Sequence, residues 1–127
     1  MTTIPNLDPA AIERLRRLGG DKFLGEMIEL FLDYAAKKVA EAVRAQAAGD
    51  LAGVQKAVHP VKSSAGNVGA TQVQALATRL EMQAKEGDAA ALPAGVAELI
   101  EAFAAASIEL KAVLLSLASP ANPASTP

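Results

Sequence analysis

The sequence predicts an all-α protein, an antiparallel up-down-up-down four-helix bundle with a short additional N-terminal helix. Of the 127 residues, 51% are hydrophobic but only 3% are aromatic, so alanine and leucine, both strong helix formers, supply most of the apolar side chains. The β-branched and aromatic residues that favour strands are sparse. Apolar residues also recur at spacings of three and four in long segments joined by short turns, which is typical of bundled amphipathic helices.

Capping and helix-breaking residues delimit the first two helices. Asp8 followed by Pro9 predicts an N-cap with proline in the first turn, and the short helix should end at Gly19-Gly20. Its expected inward residues are Ile12, Leu15 and Leu18. Asp21 is expected to cap a second helix over about residues 22–48, with one inward row made of Leu24, Ile28, Phe31, Ala35, Val39 and Ala42.

Three further segments complete the predicted bundle. Asp50 should cap the third helix, whose inward row is Leu51, Val54, Val58, Val61, Ala65 and Val68. After a turn at Gly69, the fourth helix should place inward Val73, Leu76, Ala77, Leu80 and Ala84. The fifth should begin near Pro93 and place inward Val96, Leu99, Ile100, Phe103, Leu110, Leu114 and Leu117. Residues 1–117 are therefore expected to form one domain, and the proline-rich segment 118–127 a disordered tail.

Composition excludes several function classes. Without cysteine there are no disulfides and no thiolate ligands, which fits a reducing cytoplasm. The net charge of −2 lacks the basic footprint of nucleic-acid binding. No basic-then-apolar leader or apolar run of about 18 residues occurs, so we expect a cytoplasmic protein without a membrane span. One histidine cannot supply the two Glu-x-x-His motifs of a bundle di-metal site, so no metal site of this kind is expected.

The single histidine, His59, is the strongest candidate for chemistry. Its neighbours one turn away on the helix are all polar, so the imidazole should face solvent rather than the core: Gln55, Lys56, Lys62 and Ser63. An idle surface histidine remains an alternative, because polar pairs at this spacing are common. Two costly residues argue against it: Gly66 costs about 1 kcal/mol in a helix and Pro60 about 3 kcal/mol, which favours a need for access or a local kink.

Residues 59–70 resemble the signature of histidine-containing phosphotransfer (HPt) domains. That signature has histidine, any residue, an aliphatic residue, lysine, small residues, and then an aliphatic residue, glycine and alanine. The matching positions are Val61, Lys62, Ser63, Ser64, Ala65, Val68, Gly69 and Ala70. The similarity extends over about residues 8–117, including the Gly-Gly-Asp before the second helix, Ala-Gly-Asp-Leu before the third and Arg79-Leu80-Glu81 on the fourth. Ser63 departs from the pattern, since the family most often has glycine there.

The resemblance implies a role for each residue near the histidine. His59 would be the phosphohistidine, and Lys62 the cation that attracts phosphoryl oxygens. Glu81 falls where the family commonly places a carboxylate or amide that accepts the other ring N–H. Ser63 and Gly66 would belong to the docking surface, with Gln55 and Lys85 beside it. The alternative for Glu81 and Lys85 is an ordinary surface pair at i, i+4, worth about 0.3–0.5 kcal/mol.

The resemblance also implies which partners the protein has and that it needs no cofactor of its own. We expect a monomeric phosphorelay intermediate that exchanges a phosphoryl group with response-regulator receiver domains and serves a hybrid sensor histidine kinase. It would need no cofactor of its own, and Mg²⁺ would be held by the partner receiver domain. No ATP-binding region is recognisable, so we expect a phosphocarrier without autonomous kinase activity. The competing hypothesis is a helical adaptor or oligomerisation module with an incidental surface histidine.

Overall fold

The computed structural model of the protein describes residues 6–118. This part of the chain consists of helices joined by short turns and contains no strand, which confirms the predicted all-α fold. Its elements in chain order are α1 (Pro9–Ala47), α2 (Leu51–Asn67), α3 (Thr71–Lys85), a 3₁₀ turn (Ala89–Ala91) and α4 (Leu92–Ala118). The 3₁₀ turn was not predicted, because a run of three alanines is equally compatible with an α-helix. Of the predicted tail, 118–127, only Ala118 lies within the described residues.

Helix α1 contains both N-terminal helices predicted from the sequence. It starts as expected, since the Asp8 carboxylate accepts a hydrogen bond from Ala10 N–H at 3.0 Å and Pro9 occupies the first turn. Gly20 has φ 83° and ψ −176°, which is not helical, so the run is broken at this residue. The two predicted helices therefore exist but meet at a kink, without a loop between them.

The four helices pack so that each contacts two neighbours. α1 and α3 both contact α2 and α4, which places α2 and α4 diagonally across the bundle. The first segment of α1 is joined to the turn between α2 and α3, where Asp8 N–H donates to the Gly69 carbonyl at 2.8 Å. The side-chain amide of Asn6 donates to Glu109 of α4 at 2.7 Å. These contacts fix the short N-terminal segment onto the rest of the bundle.

The buried core follows the predicted helical rows with two exceptions. All six inward positions predicted between Leu24 and Ala42 are buried. Leu18, however, is 71% exposed in the last turn before the Gly20 break. Ile100 is 43% exposed, because Leu99 occupies the buried position and Ile100 is rotated by about 100° from it. Within residues 6–118, none of the helices has the length and apolar content that a membrane crossing requires.

Candidate functional site

His59 lies on the outward face of α2, with its side chain 66% exposed. The helix continues through Pro60 from Leu51 to Asn67. Val58 and Val61 are buried on the core side, and this fixes the rotation of the helix and points His59 outward. The solvent exposure that helical periodicity predicts for the imidazole is confirmed.

Glu81 of α3 holds the imidazole of His59. Among the described residues it is the one charged residue that is buried, with 6% exposed. Its Oε2 lies 2.5 Å from His59 Nδ1. Since an ionised carboxylate can only accept, Nδ1 carries the proton of this bond, and Nε2 of the neutral ring keeps its lone pair. The contact therefore selects the tautomer and fixes the plane of the ring.

Lys62 pairs with the other oxygen of the same carboxylate, Glu81 Oε1. Its side chain is 32% exposed. The Lys62 ammonium lowers the pKa of the Glu81 carboxyl below its ordinary value of 4.5; burial opposes this shift, and the hydrogen bond from His59 adds to it. Glu81 is thus held ionised with both oxygens engaged. The alternative considered from the sequence, in which Glu81 forms a surface pair with Lys85, is wrong because Glu81 is buried and contacts His59 and Lys62.

Gln55 and Lys85 lie beside this trio. Together with His59 and Glu81 they line an open depression of about 440 Å³ between α2 and α3. Gln55 is half-buried and Lys85 is exposed. The structure therefore brings both sequence-predicted residues to the depression that the imidazole also lines.

The small residues that follow His59 have two different surroundings. Ser63 is exposed one turn after the histidine. Gly66 is half-buried, and a Cβ there would lie 2.6 Å from the Gln74 Nε2 atom. The absence of a side chain at Gly66 thus accommodates Gln74 of α3, a contact that sequence reasoning missed. The Ser64 hydroxyl donates back to the Pro60 carbonyl at 3.1 Å.

An apolar hollow of about 200 Å³ between α1 and the end of α2 was also missed. It is lined by Met27, Leu30, Phe31, Tyr34, Ser64, Asn67 and Val68. Leu30 is 63% exposed and Tyr34 is 40% exposed. The signal in the sequence was their position off the inward row of α1, since large apolar residues outside the core row commonly mark a contact surface.

Comparisons with known proteins agree with this arrangement. The Hpt domain family model matches residues 26–112. The chain is also similar in structure to the crystal structure of histidine-containing phosphotransfer protein B (HptB) from Pseudomonas aeruginosa PAO1. The TM-score is 0.81 at 23% sequence identity, over 87% of this chain and 95% of that one. No curated protein sequence matches the chain. The family match covers well over half of the chain, including the helices that bring Glu81 against His59, and this chain belongs to the Hpt domain family.

Proposed function

We propose that His59 is the phosphorylated residue of a phosphorelay intermediate that takes a phosphoryl group from the aspartyl phosphate of one response-regulator receiver domain and passes it to another. Membership of the Hpt domain family supports a role in histidine phosphotransfer, with receiver domains and kinases as partners. The observation that carries the assignment to His59 is its exposed ring, held through Nδ1 by the buried Glu81.

The proposed step is an in-line displacement at phosphorus. The Nε2 lone pair of His59 forms the N–P bond while the bond between phosphorus and the partner's aspartate oxygen breaks, and the aspartate leaves as a carboxylate. The proton on Nδ1 stays in place, so the phosphorylated ring carries a positive charge beside the Glu81 carboxylate. That carboxylate stabilises the charge as it develops. The same step in reverse delivers the group to a second receiver.

Lys62 has two roles in this proposal. Its ammonium neutralises Glu81, so the approaching phosphoryl oxygens do not meet an uncompensated carboxylate. An ammonium has three N–H donors, so Lys62 can keep its bond to Glu81 and donate to a phosphoryl oxygen as well. Because phosphoryl transfer depends mainly on positioning and charge stabilisation, this chain needs few groups of its own. The partner receiver is expected to supply Mg²⁺.

Receiver domains are proposed to dock over the exposed side of α2. Ser63 presents little bulk beside His59, and the hollow next to Leu30 and Tyr34 offers an apolar contact on the neighbouring helix. Protein interfaces combine apolar contacts with polar groups, and this face of the molecule offers both. A cytoplasmic location stays a prediction from the sequence.

The experiment is transfer from a phosphorylated receiver domain to the full chain. The wild-type protein should take up label that is labile in acid and stable in base, and His59→Gln should take up none. Because His59 is exposed, this variant should retain the helical content and thermal unfolding of the parent protein. Lys37→Ala, an exposed change on α1, serves as a matched surface control and should be labelled normally.

Label on the His59→Gln variant at the parent level would make the histidine incidental. A wild-type chain that takes up no label would instead favour the competing hypothesis of a helical adaptor. Phosphopeptide mapping of the wild-type chain should place the label within α2 (Leu51–Asn67).

A further inference from the structure

The outward face of α4 carries a heptad-spaced row of mostly apolar residues. Its positions are separated alternately by three and four residues, and all are exposed: Ala94, Ala97, Glu101, Ala104, Ile108, Lys111 and Leu115. Ile108 is 70% exposed and Leu115 is 73% exposed. The opposite face of the same helix is already buried against α1 and α3 through residues such as Leu99 and Leu110. α4 is therefore apolar on two sides.

This spacing is the pattern of a coiled-coil seam. Alternate steps of three and four residues keep one row of side chains facing a partner helix along its whole length. A surface helix of a monomer normally has a polar outward face. The row on α4 therefore indicates a helical partner.

The row is complementary to itself when two copies run antiparallel. With a two-fold axis at the level of Ala106, Leu115 faces Ala97 of the other copy and Ile108 faces Ala104. Each large side chain then packs on a small one, an alternation that lets facing layers interdigitate. Glu101 meets Lys111 of the other copy, and the symmetry repeats each contact.

We propose that two copies of this chain associate through α4 in this antiparallel register. The arrangement supplies the charges of the row with partners. Within residues 6–118, neither Glu101 nor Lys111 takes part in an ion pair of the single chain. A parallel pair in register would instead place Glu101 against Glu101 and Lys111 against Lys111, so the charges select the antiparallel arrangement.

The proposed dimer leaves both phosphotransfer sites accessible. α2 lies diagonally across the bundle from α4, so His59 faces away from the interface in each copy. The dimer replaces the monomer that the sequence led us to expect. It rests on the α4 row alone and does not depend on the role proposed for His59.

Sedimentation velocity on a dilution series of the full chain tests the proposal. The wild-type chain should be a dimer that dissociates on dilution. Glu101→Lys and Lys111→Glu should each raise the dimer Kd by on the order of tenfold, because each change makes two opposite-charge contacts repulsive. The double variant Glu101→Lys/Lys111→Glu should restore the wild-type Kd. Ile108→Glu should abolish the dimer.

Leu18→Glu is the matched control, since Leu18 is as exposed as Leu115 but lies outside the α4 row. It should leave the Kd unchanged. A wild-type chain that stays monomeric at every concentration would refute the dimer, and so would a dimer that Ile108→Glu leaves intact. If the double variant is no tighter than the single ones, the antiparallel register is wrong. Transfer to His59 in each monomeric variant reports on the phosphotransfer proposal separately.

Discussion

Glu81 is the residue on which the geometry of the site depends, because both His59 and Lys62 contact its carboxylate. The exposure of His59 could be predicted from helical phase, since the neighbouring Val58 and Val61 define the buried side. The burial of Glu81 could not be predicted in the same way. A carboxylate on a helix normally lies in solvent, and its partners are on a different helix, so only the family resemblance pointed to it.

Loss of the Lys62 ammonium should slow phosphoryl transfer. We expect Lys62→Ala to reduce the rate roughly tenfold, equivalent to about 1.4 kcal/mol of transition-state stabilisation. The variant should also lose about 1–3 kcal/mol of folding free energy, since the buried Glu81 would lack its cation, but it should remain folded. Single-turnover transfer and urea unfolding measure the two effects. Lys37→Ala is the control, and an unchanged transfer rate for Lys62→Ala would remove Lys62 from the mechanism.

The lowered pKa of Glu81 should appear as a pH dependence of stability. With Lys62 holding the folded pKa below 4.5, the unfolded chain binds this proton more readily than the folded one. The contribution of Glu81 is therefore complete above pH 4.5 and is lost as the pH falls through the folded value. Urea unfolding should show that the free energy of unfolding of wild type exceeds that of Glu81→Gln. This difference should be constant near neutral pH and should shrink in acid.

Glu29→Gln provides the matched control for this pH series, because Glu29 is an exposed carboxylate on α1. The free energy of unfolding of Glu29→Gln should differ little from that of wild type across the same pH range. A gap for Glu81→Gln that widens in acid would contradict the inferred direction of the pKa shift.

At the scale of the elements, the helical rows and breaks were largely predictable and the local exceptions were not. The row from Leu24 to Ala42 is regular, and every member is buried as predicted. The break was predicted from Gly19-Gly20 and occurs at Gly20. Leu18 was misplaced because a short helix beside a break has too few turns for its periodicity to fix which side is buried. The contact between Gly66 and Gln74 joins two helices, and no local pattern reports it.

The turn between α2 and α3 makes a prediction about stability. Gly69 has φ 76°, and a Cβ there would lie 2.8 Å from the Asp8 carbonyl oxygen. Gly69→Ala therefore combines left-handed strain of about 1–2 kcal/mol with a clash against the N-terminal segment. Gly87 has φ 78° but nothing within 4 Å of the same position, so Gly87→Ala should show the strain alone.

Urea unfolding of the two glycine variants separates these effects. Gly69→Ala should cost clearly more folding free energy than Gly87→Ala, by about 1–3 kcal/mol for the clash. Equal losses of folding free energy would mean that the N-terminal segment moves away from the added Cβ without destabilising the protein. Its packing against the turn would then not stabilise the bundle.

At the scale of the whole molecule, the sequence predicted the bundle and the buried side of α4, with Ile100 as the one predicted inward residue of this helix that lies exposed. The buried face carries large residues such as Leu99, whereas the outward row is mostly small, but it also includes the large apolar residues Ile108 and Leu115. Ile100 was placed inward because it is apolar and adjacent in sequence to Leu99, which takes the buried position. Because α2 and α4 lie diagonally across the bundle, the surface around His59 and the outward row of α4 are on opposite sides of the molecule.

The bond between His59 and Glu81 links α2 to α3, so it exists only when these two helices are packed against each other. A peptide with the sequence of α2 would contain the histidine and Lys62 but neither the fixed tautomer nor the buried carboxylate. Under the proposed function, reactivity toward a phosphorylated receiver is therefore expected to depend on tertiary structure. If His59 carries the phosphoryl group as proposed, uptake of label would report on native packing between α2 and α3, and it should disappear when those helices separate, even where local helicity remains.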